Sequence, residues 1–176
     1  MKSLILLVPF LLLLGCIDTG SSGNVLSVKV GDSVAVDYVG SLTDGKVFDT
    51  SIRVEAVKAG LPLRPSYSPL GFTVGAGQMI KGFDSAVIGM KVGETKTVTI
   101  PAADAYGESK PNMVENVPRQ SIQGNLTIGT ELQGPTGLIG RIVSLNATSV
   151  TVDFNHELAG KTLVFKITMV NVTRSG

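Results

Sequence analysis

The sequence contains no tryptophan, a single histidine and a single cysteine, and neither sign of charge predominates. Because Cys16 is the only cysteine, no disulfide can form within the chain. The 15 basic and 14 acidic residues are nearly balanced. Nucleic-acid-binding domains carry a basic patch or stripe, and this sequence has no basic run, so we expect no nucleic-acid partner.

The apolar run near the N-terminus is too short to cross a bilayer as a helix. It extends from residue 4 to residue 14, whereas a span needs roughly 20 apolar residues. Lys2 precedes the run, and Gly15 and Cys16 follow it, which is the pattern of a signal peptide. We therefore predict that residues 1–15 are a signal peptide that takes no part in the fold.

The cysteine at the end of this run lies in the sequence Leu13-Leu-Gly-Cys16, which resembles the lipobox of exported lipoproteins. The resemblance implies that Cys16 becomes the lipidated first residue of the mature protein, and that the polar residues 16–24 form a flexible tether. The prediction is an exported protein, anchored to the outer face of the cell membrane through the lipid on Cys16. The alternatives are a buried apolar cysteine and an ordinary cleavage site that happens to contain one.

Hydrophobic periodicity beyond residue 25 favours strands. Residues 33–39 alternate along the chain, residues 94–100 form another strand-like segment, and residues 163–169 place an apolar side chain at every second position. Two stretches, 52–60 and 82–91, have the spacing of short helices. We therefore predict an α+β fold in which a twisted antiparallel sheet wraps on one short helix.

The composition of the sequence changes after Glu108. The stretch that follows holds prolines, many polar residues, and strand-like runs at 137–145 and 149–152. A small β-rich domain inserted at 109–152 is the simplest account of this change. It would interrupt a discontinuous main domain formed by residues 25–108 and 153–173.

Three glycines between residues 72 and 83 resemble a phosphate-binding loop at first sight. A dinucleotide fingerprint would need a third glycine at position 80, where the sequence has Ile80. A P-loop would need a lysine after Gly82, where the sequence has Phe83. Both templates fail, so the glycines need a different explanation.

Four motifs occur in the order and at the spacing found in one known family. Together they resemble an FKBP-type peptidyl-prolyl isomerase, over residues 26–108 and 153–172. The segment 155–161, where the chain leaves the insertion, further resembles the SlyD-like branch, in which an insert-in-flap domain replaces the flap loop over the active site. The four motifs are Val36-Asp-Tyr38-Val-Gly40, Gly45-Lys-Val-Phe-Asp-Thr50, the segment from Phe72 to Gly93-Glu94, and Ala105-Tyr-Gly-Glu108.

The resemblance implies an enzyme that isomerises X-Pro peptide bonds. It implies that Tyr106 donates its hydroxyl to one substrate carbonyl, that the Ile80 backbone N–H donates to a second, and that Asp49 polarises the reacting amide or orders the hydrogen bonds of the pocket. Apolar side chains would grip the proline ring. The implied catalytic residues are Tyr38, Phe48, Asp49, Ile80 and Tyr106, and the implied substrate-binding residues are Phe72, Met79, Phe83 and Phe165.

The same resemblance explains the glycines at the start of this loop. In the family, the loop turns sharply and lays the next two side chains, here Met79 and Ile80, along the floor of an apolar pocket. Gly75 and Gly77 would permit that turn without a Cβ penalty. The sequence departs from the family at Phe83, where tryptophan is common, and in a first loop, 51–71, that is longer than in compact members.

Each candidate residue also has a structural interpretation. Aromatic side chains in strands usually belong to the core, and an aspartate such as Asp49 often stabilises a turn. The functional interpretation therefore depends on the joint pattern. Two alternatives remain open. One is a holdase chaperone or peptide-binding surface lipoprotein whose pocket is catalytically idle, and the other is a surface lipoprotein whose β-domain has only an adhesive or structural role.

The resemblance also implies the partners. Inserted domains of the SlyD-like branch bind exposed hydrophobic segments, so the substrates would be unfolded or partly folded proline-containing polypeptides, bound by a monomer. We expect no cofactor. Residues 173–176 lack the histidine-rich tail common in this branch, so we expect no metal site, and His156 is interpreted as a capping or loop residue. Candidates for the capture surface are Met113, Val114, Val117, Ile122, Leu126, Ile128, Leu132, Leu138 and Ile139.

Overall fold

The computed structural model describes residues 27–135 and 137–174. The predicted signal peptide 1–15, the tether 16–24 and the lipidation site Cys16 lie outside the described residues. Among the described residues, no helix has both the length and the apolar character needed to span a bilayer.

The main structural unit is a five-stranded antiparallel sheet. Strand β1 lies at its centre and pairs with β2, β3 and β9, and β9 in turn pairs with β4. The inward side chains of β1 and β9 are buried at every second position, as the alternation in the sequence predicts. The strands are β1 (Ser33–Leu42), β2 (Val47–Thr50), β3 (Leu70–Thr73), β4 (Thr95–Ile100) and β9 (Leu163–Thr173).

Helix α2 (Lys81–Val87) packs against this sheet and supplies Phe83 and Val87 to the core. Gly82 allows the close approach, because a Cβ at this position would lie 2.3 Å from Cγ2 of Ile100 on β4. The predicted α+β layout, a twisted antiparallel sheet wrapped on a short helix, is confirmed.

The helix prediction over residues 82–91 is wrong at its C-terminal end. The chain leaves the helix at Ile88, which is extended, and turns at Gly89 with φ +82°. Met90 is buried although it is not helical, because the Val28 N–H donates to its carbonyl at 2.9 Å and holds it against the core.

A second helix, α1 (Arg53–Lys58), falls within the predicted stretch 52–60. Ala56 is its buried residue, whereas Val54 and Val57 are exposed. Three short 3-10 helices complete the helical elements of the described residues, at Ala102–Asp104, Pro111–Met113 and Arg119–Ser121.

A second, four-stranded antiparallel sheet lies between β4 and β9 in the chain. Its strand order is β5-β8-β7-β6, and it has its own hydrophobic cluster around Leu126, Ile142, Val150 and Val152. Its strands are β5 (Val114–Pro118), β6 (Glu131–Gln133), β7 (Ile139–Leu145) and β8 (Ser149–Asp153).

The chain enters and leaves this second sheet through two adjacent backbone segments, which we call the neck (residues 107–110 and 155–160). The Gly160 N–H donates to the carbonyl of Gly107 at 2.8 Å. The Asn155 side chain accepts from the Lys110 N–H at 2.8 Å and donates to the Lys110 carbonyl at 3.1 Å. Three hydrogen bonds therefore hold the two segments of the neck together.

Candidate active site

A cavity of about 310 Å³ is lined by residues of β1, β2, β3, β9 and helix α2, and by residues of the loop before α2 and of the segment after β4. Every predicted catalytic or substrate-binding residue except Phe72 lines this cavity. The fold thus brings together predicted residues that are up to 127 positions apart in the sequence, from Tyr38 to Phe165. The lining residues are Tyr38, Phe48, Asp49, Leu70, Gln78, Met79, Ile80, Phe83, Tyr106 and Phe165.

Phe83 lies at the centre of the aromatic cluster that forms the cavity wall, and it is only 3% exposed. Its ring contacts Phe165 edge to face at a centroid distance of 5.1 Å, and Tyr38 in the same manner at 5.9 Å. Such edge-to-face pairs are favoured geometries that stabilise beyond their buried area. Gly40 on β1 makes room for the cluster, because a Cβ there would lie within 3 Å of both Phe165 and Phe48.

Phe72 lies outside the cavity lining. It is buried on β3 and contacts Phe83, with the two ring centroids 5.9 Å apart. In this position it supports the ring of Phe83. Its direct contact with substrate stays a prediction.

The loop between β3 and α2 carries Met79 and Ile80. Gly75 and Gly77 have φ values of +82° and +71°, which only glycine adopts at little cost. The Gly75 N–H donates to the carboxylate of Asp84 at 2.9–3.0 Å and fixes the turn to the helix. The Ile80 N–H meets no acceptor within the described part of the chain, so it is available to a bound molecule.

Asp49 is held at the cavity rim by two hydrogen bonds and one ion pair. Its Oδ2 accepts the Tyr38 hydroxyl at 2.5 Å, and its Oδ1 accepts the Thr50 N–H at 2.8 Å and pairs with Arg64 Nη2 at 3.2 Å. Burial, and then the hydrogen bond to the Asp49 carboxylate, raise the pKa of Tyr38 well above its usual range. The Tyr38 hydroxyl therefore stays protonated and keeps donating at neutral pH.

Sequence reasoning missed Arg64. It lies in the long loop between α1 and β3, where it pairs with Asp49, donates to the Thr50 carbonyl, and lies over the ring of Tyr67 at 5.0 Å. The prolines of this loop suggested an exposed, irregular connection. Nothing in the sequence around Arg64 indicates that its side chain contacts Asp49. Leu70, the first residue of β3, and Gln78, in the loop before α2, also line the cavity and were not predicted.

Tyr106 forms the opposite rim and is 41% exposed. It follows the 3-10 helix Ala102–Asp104, whose end is fixed by the Gly107 N–H donating to the Ala102 carbonyl at 2.8 Å. Partial burial, and then the nearby charges of Asp49 and Glu157, raise its pKa. The Tyr106 hydroxyl is therefore also a protonated donor at neutral pH.

The site offers apolar walls and hydrogen-bond donors rather than ligands for an ion. Within residues 27–135 and 137–174, no group of three or more His, Cys, Asp or Glu side chains could hold a metal ion. His156 has a loop role, since its Nδ1 accepts the Leu158 N–H at 3.1 Å. The arrangement can enclose a small apolar ring while donating to carbonyl oxygens beside it.

Comparison with known proteins places this site in a family. The family model described as FKBP-type peptidyl-prolyl cis-trans isomerase matches residues 26–170. The short-type peptidyl-prolyl cis-trans isomerase of Methanocaldococcus jannaschii is 41% identical over 155 residues, which cover 82% of this chain and 94% of that protein. The FKBP-type peptidyl-prolyl cis-trans isomerase SlyD of Helicobacter pylori is 32% identical over 131 residues, 72% of this chain and 71% of that protein.

Proposed function

Because the chain belongs to the FKBP-type peptidyl-prolyl cis-trans isomerase family, we propose that it accelerates the folding of exported proteins by isomerising their X-Pro bonds. We further propose that the second sheet acts as an insert-in-flap domain of the SlyD-like kind, which captures unfolded segments. The observation that carries the proposal is the 310 Å³ cavity, which an aromatic wall lines together with Tyr106 and Ile80. The Tyr106 hydroxyl and the Ile80 N–H donate to no acceptor among residues 27–135 and 137–174.

The reaction needs no proton transfer and no covalent intermediate. Rotation about an X-Pro bond is opposed by amide resonance, with a barrier of about 18–20 kcal/mol. The aromatic wall around Phe83 would bind the proline ring and remove water from the amide, which disfavours the charge-separated resonance form. Each ~1.4 kcal/mol of selective stabilisation of the twisted amide raises the rate tenfold.

The two donors would act on the backbone of the substrate. Tyr106 would donate to one substrate carbonyl and Ile80 to a second, which fixes the chain on both sides of the ring. Hydrogen bonds of this kind contribute about 0.5–1.5 kcal/mol each. A donor that is better aligned with the twisted amide than with the planar amide would raise kcat as well as affinity.

Asp49 would order the pocket. Both of its oxygens are occupied, by Tyr38 on one side and by Thr50 and Arg64 on the other. A carboxylate held by two hydrogen bonds and an ion pair keeps one orientation, and Asp49 lines the cavity in that orientation. Of the two roles that the sequence left open, ordering of the hydrogen bonds is better supported by this geometry than direct polarisation of the amide.

The capture role of the second sheet is supported by apolar side chains that it leaves exposed. Ile128 and Ile139 are 68% and 65% exposed, and Val114, Leu138 and Val143 are exposed as well. Other candidates from the sequence belong to the small core or pack against it, namely Val117, Ile122, Leu126 and Leu132. We call the five exposed residues the capture surface; the sequence did not single out Val143.

A capture surface linked to the isomerase cavity would raise the local concentration of prolyl bonds at that cavity. Tethering two sites in this way increases overall affinity without any new contact. It would benefit long unfolded chains, which can engage both sites at once, and not short peptides. The expected substrates are therefore unfolded or partly folded proline-containing polypeptides, and we propose that the protein acts on them as a monomer.

The export and anchoring of the protein are supported by its N-terminal sequence. The apolar run and the lipobox-like sequence before Cys16 would direct the chain out of the cytoplasm and place a lipid on that residue. Replacing Cys16 with Ser should abolish incorporation of labelled fatty acid and release the protein from the membrane fraction. Retention in the membrane without labelling would rule out the anchor.

The function can be tested on a protein whose refolding is limited by prolyl isomerisation. Residues 24–176 would be compared with a variant in which a short loop replaces residues 109–152. We expect the intact protein to accelerate refolding at catalytic concentrations, and the variant to retain activity on short peptides but to lose most of its effect on refolding. Equal acceleration of refolding by both proteins would disprove the capture role. A protein that only prevents aggregation would be a holdase.

A further inference from the structure

The rings of Tyr106 and His156 are stacked. Their centroids are 4.1 Å apart, and the planes are inclined by only 5°. The two residues are 50 positions apart in the chain. Tyr106 directly precedes the first segment of the neck, and His156 lies within the second. The only histidine of the sequence therefore lies directly against the residue proposed to donate to the substrate.

His156 has a fixed position that does not depend on Tyr106. Its Nδ1 accepts the N–H of Leu158, whose side chain is buried in the main core, and its carbonyl accepts the N–H of Ala159 at 2.8 Å. Its neighbour Asn155 is bonded to the opposite segment of the neck. The imidazole ring is thus attached to a well-restrained stretch of backbone.

Tyr106 has fewer restraints of its own. The side chain is 41% exposed, and its hydroxyl meets no acceptor within residues 27–135 and 137–174. An exposed aromatic ring without a bonded hydroxyl normally samples several rotamers. The imidazole of His156 covers one face of the Tyr106 ring, and in this orientation the ring lines the cavity.

We propose that His156 is a positioning residue for the isomerase reaction: its imidazole holds the Tyr106 ring so that the hydroxyl faces the cavity. The proposal rests on the proposed role of Tyr106 as a donor. His156 also lines a cleft of about 660 Å³ beside the capture surface, together with Ile139 and Val143. The stacked rings therefore form part of the wall between this cleft and the isomerase cavity.

Two substitutions distinguish the contribution of the His156 ring from that of the hydrogen bond that His156 accepts. His156→Asn keeps a side-chain acceptor for the Leu158 N–H but removes the ring. His156→Phe keeps a flat ring but removes the acceptor. If stacking positions Tyr106, His156→Asn should lower kcat/KM on a short proline-containing peptide by about three- to tenfold, the range expected for an aromatic pair. His156→Phe should retain at least half of the wild-type value.

A double-mutant cycle with Tyr106→Phe tests whether His156 acts through the hydroxyl. In the Tyr106→Phe background, His156→Asn should cause little further loss, because no hydroxyl remains to be positioned. Circular dichroism and urea unfolding would establish that each variant is folded. His156→Gln, which also keeps an acceptor, replaces His156→Asn if the latter fails to fold.

The outcomes distinguish this proposal from the role of Tyr106 itself. If Tyr106→Phe is slow and His156→Asn is as fast as the wild type, the inference about His156 is wrong and the donor role stands. If Tyr106→Phe is as fast as the wild type, the donor role fails and the inference fails with it. If His156→Asn is equally damaging in both backgrounds, His156 acts by another route and the proposal is overturned.

Discussion

The hydroxyl of Tyr38 donates to Oδ2 of Asp49 at 2.5 Å, and so joins the central strand of the main sheet to the neighbouring strand β2 at the cavity rim. Oδ1 of the same carboxylate is held by Thr50 and Arg64. One carboxylate thus contacts a side chain of β1, a backbone N–H of β2 and a side chain of the long loop. The consequences of removing each partner can be measured separately.

Tyr38→Phe removes the hydroxyl and leaves Oδ2 of Asp49 without its donor. We expect a loss of about 1–2 kcal/mol in the free energy of unfolding, because a partly buried acceptor is left unpaired. Isomerase kcat/KM should fall severalfold, since Asp49 is then less well oriented. Thr95→Val, which removes an exposed hydroxyl on β4 that contacts Thr168 away from the cavity, is the control and should change neither quantity appreciably. Equal effects of the two substitutions would contradict the assigned role of Tyr38.

The raised pKa of Tyr38 predicts how stability depends on pH. The folded state holds the phenolic proton more tightly than the unfolded chain, whose tyrosines titrate near pH ~10. The stabilisation is therefore complete below pH ~10 and is lost as the pH rises towards the higher pKa of the folded state. Above pH ~10, the free energy of unfolding should fall more steeply with pH in the wild type than in Tyr38→Phe, by up to ~1.4 kcal/mol per pH unit. Parallel curves from urea unfolding at pH 8 to 11 would contradict the prediction.

Arg64→Lys keeps the positive charge but loses the planar guanidinium that reaches both Asp49 and the Thr50 carbonyl. Because the ion pair is about half exposed, we expect a change of less than about 1 kcal/mol in stability. Isomerase activity should fall two- to fivefold as the orientation of Asp49 loosens. Lys58→Arg changes another exposed cation, on α1, and serves as the control. Full activity of Arg64→Lys would show that charge alone suffices.

Gly82→Ala places a methyl group 2.3 Å from Cγ2 of Ile100. The helix and strand β4 must separate to accommodate it, so we expect a loss of roughly 1–3 kcal/mol in the free energy of unfolding. A second substitution, Ile100→Ala, should recover part of this loss. Gly71→Ala, whose Cβ would meet only a carbonyl at 3.9 Å, should lie within about 0.5 kcal/mol of the wild type. Gly82→Ala with wild-type stability would show that helix α2 can move freely from the sheet.

The capture surface can be weakened without disturbing the core. The double variant Ile128→Ser, Ile139→Ser alters two exposed side chains, so its stability should stay within about 0.5 kcal/mol of the wild type. It should suppress aggregation of an unfolded protein less well, and accelerate refolding less, while kcat/KM on a short peptide is unchanged. A control variant, Val92→Ser, Val170→Ser, changes exposed residues of the isomerase unit. The capture role is wrong if both double variants behave alike.

Much of the main sheet was predictable from the sequence. Alternation in β1 and β9 identified the buried faces, because side chains in a strand point to opposite sides in turn. The end of helix α2 was not predictable from spacing alone. Met90 continues the helical period, but it is buried through a backbone hydrogen bond from Val28, a residue far away in the sequence.

Some residues of the candidate site were predictable from the sequence, and others were not. Its aromatic residues could be assigned because their motifs resemble those of a known family as a set. Arg64 and His156 could not, because their importance lies in contacts across 15 and 50 positions, with Asp49 and Tyr106 respectively. Arg64 lies in no motif, and the resemblance of segment 155–161 assigned no role to His156. A charged or polar residue in a loop is most often solvated. Only the folded chain reveals these partners.

The neck has a consequence for how such proteins can diversify. Gly107 and Gly160 are joined by a hydrogen bond of 2.8 Å, so the two ends of the isomerase unit already lie side by side. A gene rearrangement that exchanges everything between them would leave two adjacent chain ends that a short turn, or a different domain, can connect. The evolutionary history of the appended sheet can therefore differ from that of the unit that carries it, and the same junction is a natural site for engineered domain fusions.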